Sequence, residues 1–128
     1  MKIAILGTRG IPNNYGGFEQ FAEHLSVRLA ELGHEIIVFN PSFHPYKEKT
    51  YKNVNIVNIP CCENILGGAA HFFYDYYCLK YAIKHNADIA LVCGYGTSSP
   101  AIALLNKHQT KVIINTHSQS YPVIHDFL

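Results

Sequence analysis

Short apolar runs of strand length alternate along the chain with longer segments in which apolar residues recur at helical spacing. Five such runs predict strands, at residues 2–6, 35–39, 54–59, 89–93 and 111–115. Residues 54–59 alternate strictly between apolar and polar positions, which predicts a half-exposed strand near a sheet edge. Residues 40–52 are polar and contain two prolines, so we expect a loop there.

Three segments carry helical patterns. In the first, apolar side chains recur at Phe18, Phe21, Ala22, Leu25, Leu29 and Leu32. We expect a helix that ends at Gly33, with a solvent-exposed face formed by the polar and charged residues between these positions, namely Glu19, Gln20, Glu23, His24, Arg28 and Glu31. An aromatic-rich helix is expected over residues 69–85. A third helix is expected to begin at Thr97 or Ser98 and to run to about Lys107.

Strands that alternate with helices predict an α/β fold, a Rossmann-like doubly wound parallel sheet with helices on both faces. Counting the predicted strands along the chain, the expected order is 3-2-1-4-5. Such sheets bind ligands beyond the carboxyl ends of their strands, where the strand order reverses. This directs attention to three turns, at residues 7–17, 93–99 and 115–119.

Composition narrows the class of protein. Hydrophobic residues make up 48% and charged residues 15% of the 128 residues, as in globular proteins, and the net charge is +1. No basic stripe is present, so we expect no nucleic-acid partner. No signal-peptide core and no run of 18 uncharged apolar residues is found, which predicts a cytoplasmic protein. The four cysteines are expected to be reduced, and the histidines lack zinc-ligand spacing, so no metal is expected.

The turn after the first strand is rich in glycine but matches neither common nucleotide motif. Arg9 stands where a dinucleotide-binding turn needs its second glycine, and no lysine follows Gly16 and Gly17 as a P-loop requires. The second strand ends Phe39-Asn40-Pro41, without the acidic residue that would bind a ribose. An NAD(P)-dependent oxidoreductase is therefore a weak alternative.

The same turn has the features of an anion site. Gly16 and Gly17 directly precede the first helix, and bare backbone amides at a helix start attract an anion. Arg9 adds a guanidinium that can hold a phosphate in bidentate fashion. The alternative is that the two glycines only permit tight strand–helix packing. We favour phosphate binding by Arg9, Gly16 and Gly17.

The turn and its flanks resemble a known family. The segment K-I-A-I-L-G-T-R-G-I-P at residues 2–12, followed by N-Y-G-G-F-E at residues 14–19, resembles the opening of bacterial rhamnosyltransferase-like GT-B enzymes. These enzymes belong to the retaining group-4 glycosyltransferases. The segment L-A-E-L-G-H-E at residues 29–35 fits the same pattern. The resemblance is most specific over residues 2–39.

The resemblance implies a domain layout and a reaction. In GT-B enzymes two Rossmann-like domains face each other, the N-terminal one holding mainly the acceptor and the C-terminal one most of the nucleotide-sugar. Residues 1–128 would form a single acceptor-side domain without the donor-binding domain, inactive alone. The reaction implied moves rhamnose or another hexose from a nucleoside-diphosphate sugar to a lipid-linked or polysaccharide acceptor. No cofactor is implied, and the catalytic groups stay unassigned.

This chain departs from the family pattern in two turns. Many relatives carry a histidine after the fourth strand, where this chain has Cys93 and Tyr95, so that role is not transferred. Close relatives tend to follow the fifth strand with Asp-Gly, whereas this chain reads Asn115-Thr116-His117 there. His117 falls where broader family members often place a histidine near the sugar. An ordinary surface histidine is an equal alternative. Tyr15, Tyr95 and His117 are the expected sugar or acceptor contacts.

Two further alternatives concern the chain as a whole and its aromatic helix. A truncated, non-catalytic α/β module that binds a phosphorylated ligand is the second hypothesis for function. The aromatic-rich helix at residues 69–85 can lean on the inner face of the cell membrane, where a lipid-linked acceptor is presented. The alternative is a core helix packed on the sheet with tyrosine hydroxyls at its margin, and we favour the core helix.

Overall fold

The computed structural model describes residues 1–13, 16–61, 69–93 and 110–115. It contains six strands and two helices in this part of the chain. Their order is β1 (Lys2–Leu6), α1 (Gly17–Glu31), β2 (Glu35–Pro41), β3 (Thr50–Tyr51), β4 (Val54–Ile59), α2 (Ala69–Lys84), β5 (Ile89–Cys93) and β6 (Lys111–Asn115). The third predicted helix lies outside the described residues.

The strands form one sheet in the order β3-β4-β2-β1-β5-β6. All neighbouring pairs are parallel except β3 with β4, which pair antiparallel. The predicted α/β fold is therefore confirmed, and the five predicted strands keep their expected order. The difference is one added strand at the edge. From β1 the chain builds the sheet outward on one side through β2 and β4. It then crosses back to add β5 and β6 on the other side of β1, so the strand order reverses between β1 and β5.

The two helices cover opposite faces of the sheet. On β1, Ile3 and Ile5 belong to the cluster that packs under α1, whereas Ala4 and Leu6 belong to the cluster under α2. Successive residues of a strand point to opposite faces, so each central strand must be apolar throughout. Right-handed crossovers in opposite directions place their helices on opposite faces. The unbroken apolar runs in the sequence therefore reflect the burial of both faces of the central strands.

The first helix is rotated relative to its predicted apolar face. Glu19, expected on the wet face, is only 5% exposed, whereas Phe21, expected in the core, is 42% exposed. The helix ends as predicted, with Gly33 at a φ of +94°. The N–H groups of Gly33 and His34 bond to the carbonyls of Ala30 and Leu29, which satisfies the last turn.

The segment predicted as a loop at residues 40–52 is partly strand, and that prediction was wrong at both ends. Asn40 and Pro41 continue β2 and pair with Asn58 and Ile59 of β4. At the other end, β3 pairs antiparallel with the start of β4. Pro41 is tolerated because it is the last residue of its strand. The two-residue β3 was missed because so short an element has no detectable period.

We predict that Gly7→Ala lowers the free energy of unfolding by about 2–4 kcal/mol. Gly7 has a φ of +85°, and a Cβ there would lie 2.9 Å from the backbone nitrogen and oxygen of Cys93. Gly17→Ala is the control, because a Cβ at Gly17 meets nothing within 4 Å. Urea unfolding of both variants measures the effect. Equal stability of the two variants would show that β1 and β5 do not meet closely at Gly7.

Candidate functional site

The glycine-rich turn after β1 is held in place by one side chain at the end of β2. Asn40 is fully buried, and its Oδ1 accepts the N–H of Ile11 at 2.9 Å while its Nδ2 donates to the Ile11 carbonyl at 2.8 Å. The amide thus pairs with both polar groups of one residue, as a neighbouring strand would. No space is left beside it, since a Cβ on Gly10 would lie 2.5 Å from Asn40 Oδ1.

His44 supports the same arrangement from the loop after β2. Its Nδ1 accepts the backbone N–H of Tyr46 at 3.1 Å and lies 3.4 Å from Asn40 Nδ2. The proton therefore sits on Nε2, which donates to the Pro12 carbonyl at 3.1 Å. His44 is 2% exposed, and burial lowers its pKa below the ordinary value, with the nearby Lys47 acting in the same direction. The ring is neutral at pH 7 and fixed in one tautomer.

Two carboxylates of α1 accept hydrogen bonds from further backbone amides of the turn. Glu19 Oε2 accepts the N–H of Arg9 at 2.8 Å, and Glu23 Oε1 accepts the N–H of Asn13 at 2.6 Å. Within the turn, Gly10 donates to the Thr8 hydroxyl. Together with the bond from Ile11, these bonds engage the backbone amides of Arg9, Gly10, Ile11 and Asn13 within the protein. The turn itself therefore does not form a nest of free amides for a phosphate.

The start of α1 lies beside this turn. Gly16 is the N-cap in extended conformation, with no side-chain cap, and Gly17 is exposed. A Cβ on Gly16 would lie 3.3 Å from Glu19 Oε1, so the Glu19 carboxylate lies next to the helix start. A carboxylate in the first turn stabilises the helix through its dipole. It also competes with any external anion for the same positive end.

A polar depression, the strand-end cavity, opens at the carboxyl ends of β1, β2 and β4. Its volume is about 210 Å³. The polar groups on its wall are Thr8 and Arg9 from the turn and His71, Tyr74 and Asp75 from α2. The three α2 residues fall on one face because they are spaced by three and four positions. The cavity lies where doubly wound sheets bind ligands.

The predicted phosphate contacts do not share one depression in the described part of the chain. Arg9 lines the strand-end cavity, whereas Gly17 lines a separate open depression with Phe21, His24 and Arg28 on the outer face of α1. The Arg9 backbone and the helix start are still adjacent, since Glu19 contacts both.

The expected sugar or acceptor contacts Tyr15, Tyr95 and His117 lie outside the described residues. Cys93 ends β5 and is 1% exposed. Burial, and then the nearby Glu19 carboxylate, raise the pKa of its thiol to about 12. The thiol is therefore protonated at neutral pH and is not a nucleophile.

The aromatic-rich helix α2 has two different sides. Its buried side includes Tyr74, Cys78 and Leu79, which pack on the sheet and bear out the interpretation as a core helix. On the other side Phe73 and Tyr77 are 54% and 50% exposed, beside Lys80 and Lys84 along a groove of about 670 Å³. Among the described residues no helix is long and apolar enough to cross a membrane.

Sequence reasoning missed the residues that hold the site. Asn40 was noted only for not being acidic, and His44 and Tyr74 were given no role. The sequence did offer a signal for Asn40, which is a polar residue at the end of an unbroken apolar strand. The end of a central strand is buried, and a buried polar side chain needs hydrogen-bond partners. No local pattern marks His44, since all its partners come from other segments.

Comparison with known proteins now adds to this geometry. The model of the family described as Glycosyltransferase Family 4 matches residues 15–127, which is most of the chain. The chain belongs to this family. No curated protein matches it. The fold is accordingly the Rossmann-like half of a GT-B enzyme, and the function is of the glycosyltransferase type. Membership implies in general a nucleotide-sugar donor and a saccharide acceptor.

We predict that part of the stability of this chain is lost as the pH falls from 7 to 5. Unfolded histidine binds a proton near pH 6.5, whereas folded His44, whose pKa is lowered, does not until lower pH. The unfolded state therefore binds more protons, and the free energy of unfolding falls by up to about 1.4 kcal/mol per pH unit from this group. Urea unfolding at several pH values measures the slope.

His44→Gln is expected to remove that contribution, and His24→Gln, a change at an exposed position on α1, is expected to keep it. If the His44→Gln variant has the same pH slope as the unaltered chain, His44 is not held neutral by its contacts.

Proposed function

We propose that this chain is the acceptor-side domain of a retaining glycosyltransferase. It would act with a donor-binding domain to move rhamnose or another hexose from a nucleoside-diphosphate sugar to a lipid-linked or polysaccharide acceptor. The observation that carries the proposal is the glycine-rich turn at the strand-order reversal, with the strand-end cavity beside it. The resemblance of residues 2–19 to rhamnosyltransferase-like enzymes supports the choice of sugar.

In this proposal the chain assists departure of the nucleoside diphosphate. Negative charge grows on the diphosphate as the glycosidic bond breaks, and oriented amides and cations stabilise it. Gly16 and Gly17 at the start of α1 would approach the phosphates, with Arg9 nearby. Because four amides of the turn are engaged within the protein, the contribution must come from the helix start and from the Arg9 side chain.

Glu19 sets the strength of this site. Its carboxylate lies against Gly16 and accepts the Arg9 N–H, so it reduces the positive potential that a phosphate would meet. A weak site for the free nucleotide is the consequence. We propose that tight binding requires the second domain, which would hold most of the nucleotide. No metal or cofactor enters this scheme.

We predict that nucleoside diphosphates bind the 128-residue chain weakly and that Gly17→Asp weakens this binding roughly tenfold or more. The reason is the added carboxylate at the helix start. Gly17→Ala is the matched control and should bind normally, because a Cβ at Gly17 is unopposed. Glu19→Gln keeps an acceptor for Arg9 and should strengthen binding about two- to fivefold. Amide NMR shifts at Arg9, Gly16 and Gly17 follow the titration.

The outcome separates two explanations. Shifts confined to those three residues, with the expected order of variants, support a half-site that needs a second domain. Nucleotide binding that is unchanged by Gly17→Asp would remove the phosphate proposal. It would leave the family assignment untouched.

A peripheral membrane contact is the second proposal, and the exposed side of α2 favours it. Phe73 and Tyr77 are half exposed, and Tyr has the apolar body and polar tip that suit a membrane interface. Lys80 and Lys84 stand one turn apart on the same groove and would face anionic headgroups. Such a contact would bring a lipid-linked acceptor within reach of the chain.

We predict binding to vesicles of anionic phospholipid and little binding to vesicles of phosphatidylcholine alone. Replacing Lys80 and Lys84 together by glutamine should weaken the partition about 10- to 30-fold, since each lysine near the surface contributes about 1 kcal/mol. The control replaces Lys49 and Lys52, which are exposed and lie outside the α2 groove. Co-sedimentation measures both. Equal loss in the two double variants would indicate attraction by net charge rather than by this side of α2.

A further inference from the structure

The buried ring of His44 uses both of its nitrogen atoms in hydrogen bonds to backbone groups whose roles are fixed. A backbone N–H can only donate, so the ring Nδ1, which lies 3.1 Å from the nitrogen of Tyr46, is an acceptor. A carbonyl can only accept, so Nε2, which lies 3.1 Å from the Pro12 oxygen, carries the proton. Nδ1 is therefore the position at which a second proton would bind to the ring.

Nδ1 also faces a second donor, the side-chain amide of Asn40. The orientation of this amide is set by Ile11, because Oδ1 accepts the Ile11 N–H and Nδ2 donates to the Ile11 carbonyl. Nδ2 has two hydrogens, and it lies 3.4 Å from Nδ1 of His44. A proton on Nδ1 would thus meet two donors, Tyr46 N–H and Asn40 Nδ2, in the protein interior. Burying a charged donor in this way is costly.

The charges around the ring do not offset this cost. Lys47, from the same loop, acts on His44 and disfavours a second positive charge. Among the described residues, neither the Glu19 and Glu23 carboxylates of α1 nor the Arg9 guanidinium of the turn is a group whose charge acts on the ring. The contacts that β2 and the turn make with the ring are to neutral amide and carbonyl groups. The surroundings therefore favour the neutral ring.

A protonated ring can be accommodated in two ways, and each loosens the turn. If the ring leaves its place, the bond from Nε2 to the Pro12 carbonyl is lost. If the Asn40 amide rotates to present its oxygen to the ring, both of its bonds to Ile11 are lost. The ring has little room to shift toward the turn, since a Cβ on Gly10 would lie 2.9 Å from His44 Cδ2.

We propose that His44 is a proton-operated switch for the glycine-rich turn. The neutral ring fixes residues 10–12 against the end of β2, and a second proton, taken from solvent at Nδ1, releases them. Arg9 directly precedes these residues and lines the strand-end cavity, so the arrangement of this side of the site would depend on pH. That consequence rests on the proposed function, whereas the switch itself concerns the chain without ligand.

The test combines NMR titration and amide hydrogen exchange of the full 128-residue chain, without ligand, from about pH 7.5 to about pH 4.5. The His44 ring resonances give the midpoint of protonation, expected below 6.5 because burial lowers the pKa of the ring. The protection factor of the Ile11 amide, which bonds to Asn40, should fall about five- to tenfold as the ring takes up its second proton. Ala4, fully buried in β1, is the reference and should stay better protected than Ile11 at each pH.

Three variants tie the effect to this ring. His44→Gln should lose the fall in Ile11 protection at the His44 midpoint, whereas His24→Gln, a change at an exposed position on α1, should keep it. Lys47→Gln removes a charge that opposes protonation, so the ring midpoint and the fall in Ile11 protection should move to higher pH together. Because Lys47→Gln leaves the ring in place, it tests the switch even if His44→Gln does not fold.

Three results would overturn the inference. Equal protection of Ile11 and Ala4 throughout the titration would mean that the turn opens only when the whole chain unfolds. A His44 ring that stays neutral at about pH 4.5 would leave no switch to operate. Ile11 protection that does not follow the ring midpoint would mean that the ring does not control the turn. None of these measurements involves a nucleotide, so their failure would leave the proposed function standing.

Discussion

The pairing of the Asn40 side chain with the backbone of Ile11 is the contact on which the arrangement at the carboxyl ends of β1 and β2 depends. It joins the end of β2 to the turn after β1 through two buried hydrogen bonds to one residue. An aspartate would supply only acceptors, and an apolar side chain would leave both Ile11 groups unpaired in the interior, which is costly. Since His44 contacts both Asn40 and Pro12, the turn, the strand end and the next loop form one hydrogen-bonded unit.

This arrangement explains why the turn differs from the phosphate-binding loops that it superficially resembles. Those loops leave successive amides free, whereas here Glu19, Glu23 and Asn40 accept them. The amides of Arg9, Gly10, Ile11 and Asn13 are thus engaged within the protein. Thr8 and Arg9 of the same turn line the strand-end cavity. The role left for backbone amides falls to the start of α1.

Helix α2 connects three environments. Its buried side packs on the sheet through residues such as Leu79, and its first turns place His71 and Asp75 on the cavity wall. Its outer side keeps Phe73 and Tyr77 exposed. One helix therefore borders both the strand-end cavity and the exposed groove that carries Lys80 and Lys84.

The sequence by itself determined five of the six described strands, both described helices, the order of those five strands and the layer architecture. These follow from hydrophobic period and crossover handedness, which are local or nearly local properties of a chain. Only the tertiary structure decided that Glu19 is buried, that Asn40 pairs with Ile11 and that the Tyr74 hydroxyl is buried without a hydrogen-bond partner among the described residues. Each depends on groups from segments far apart along the chain. Groups from distant segments therefore decide whether a polar side chain is exposed to solvent, buried and hydrogen-bonded, or buried without a partner.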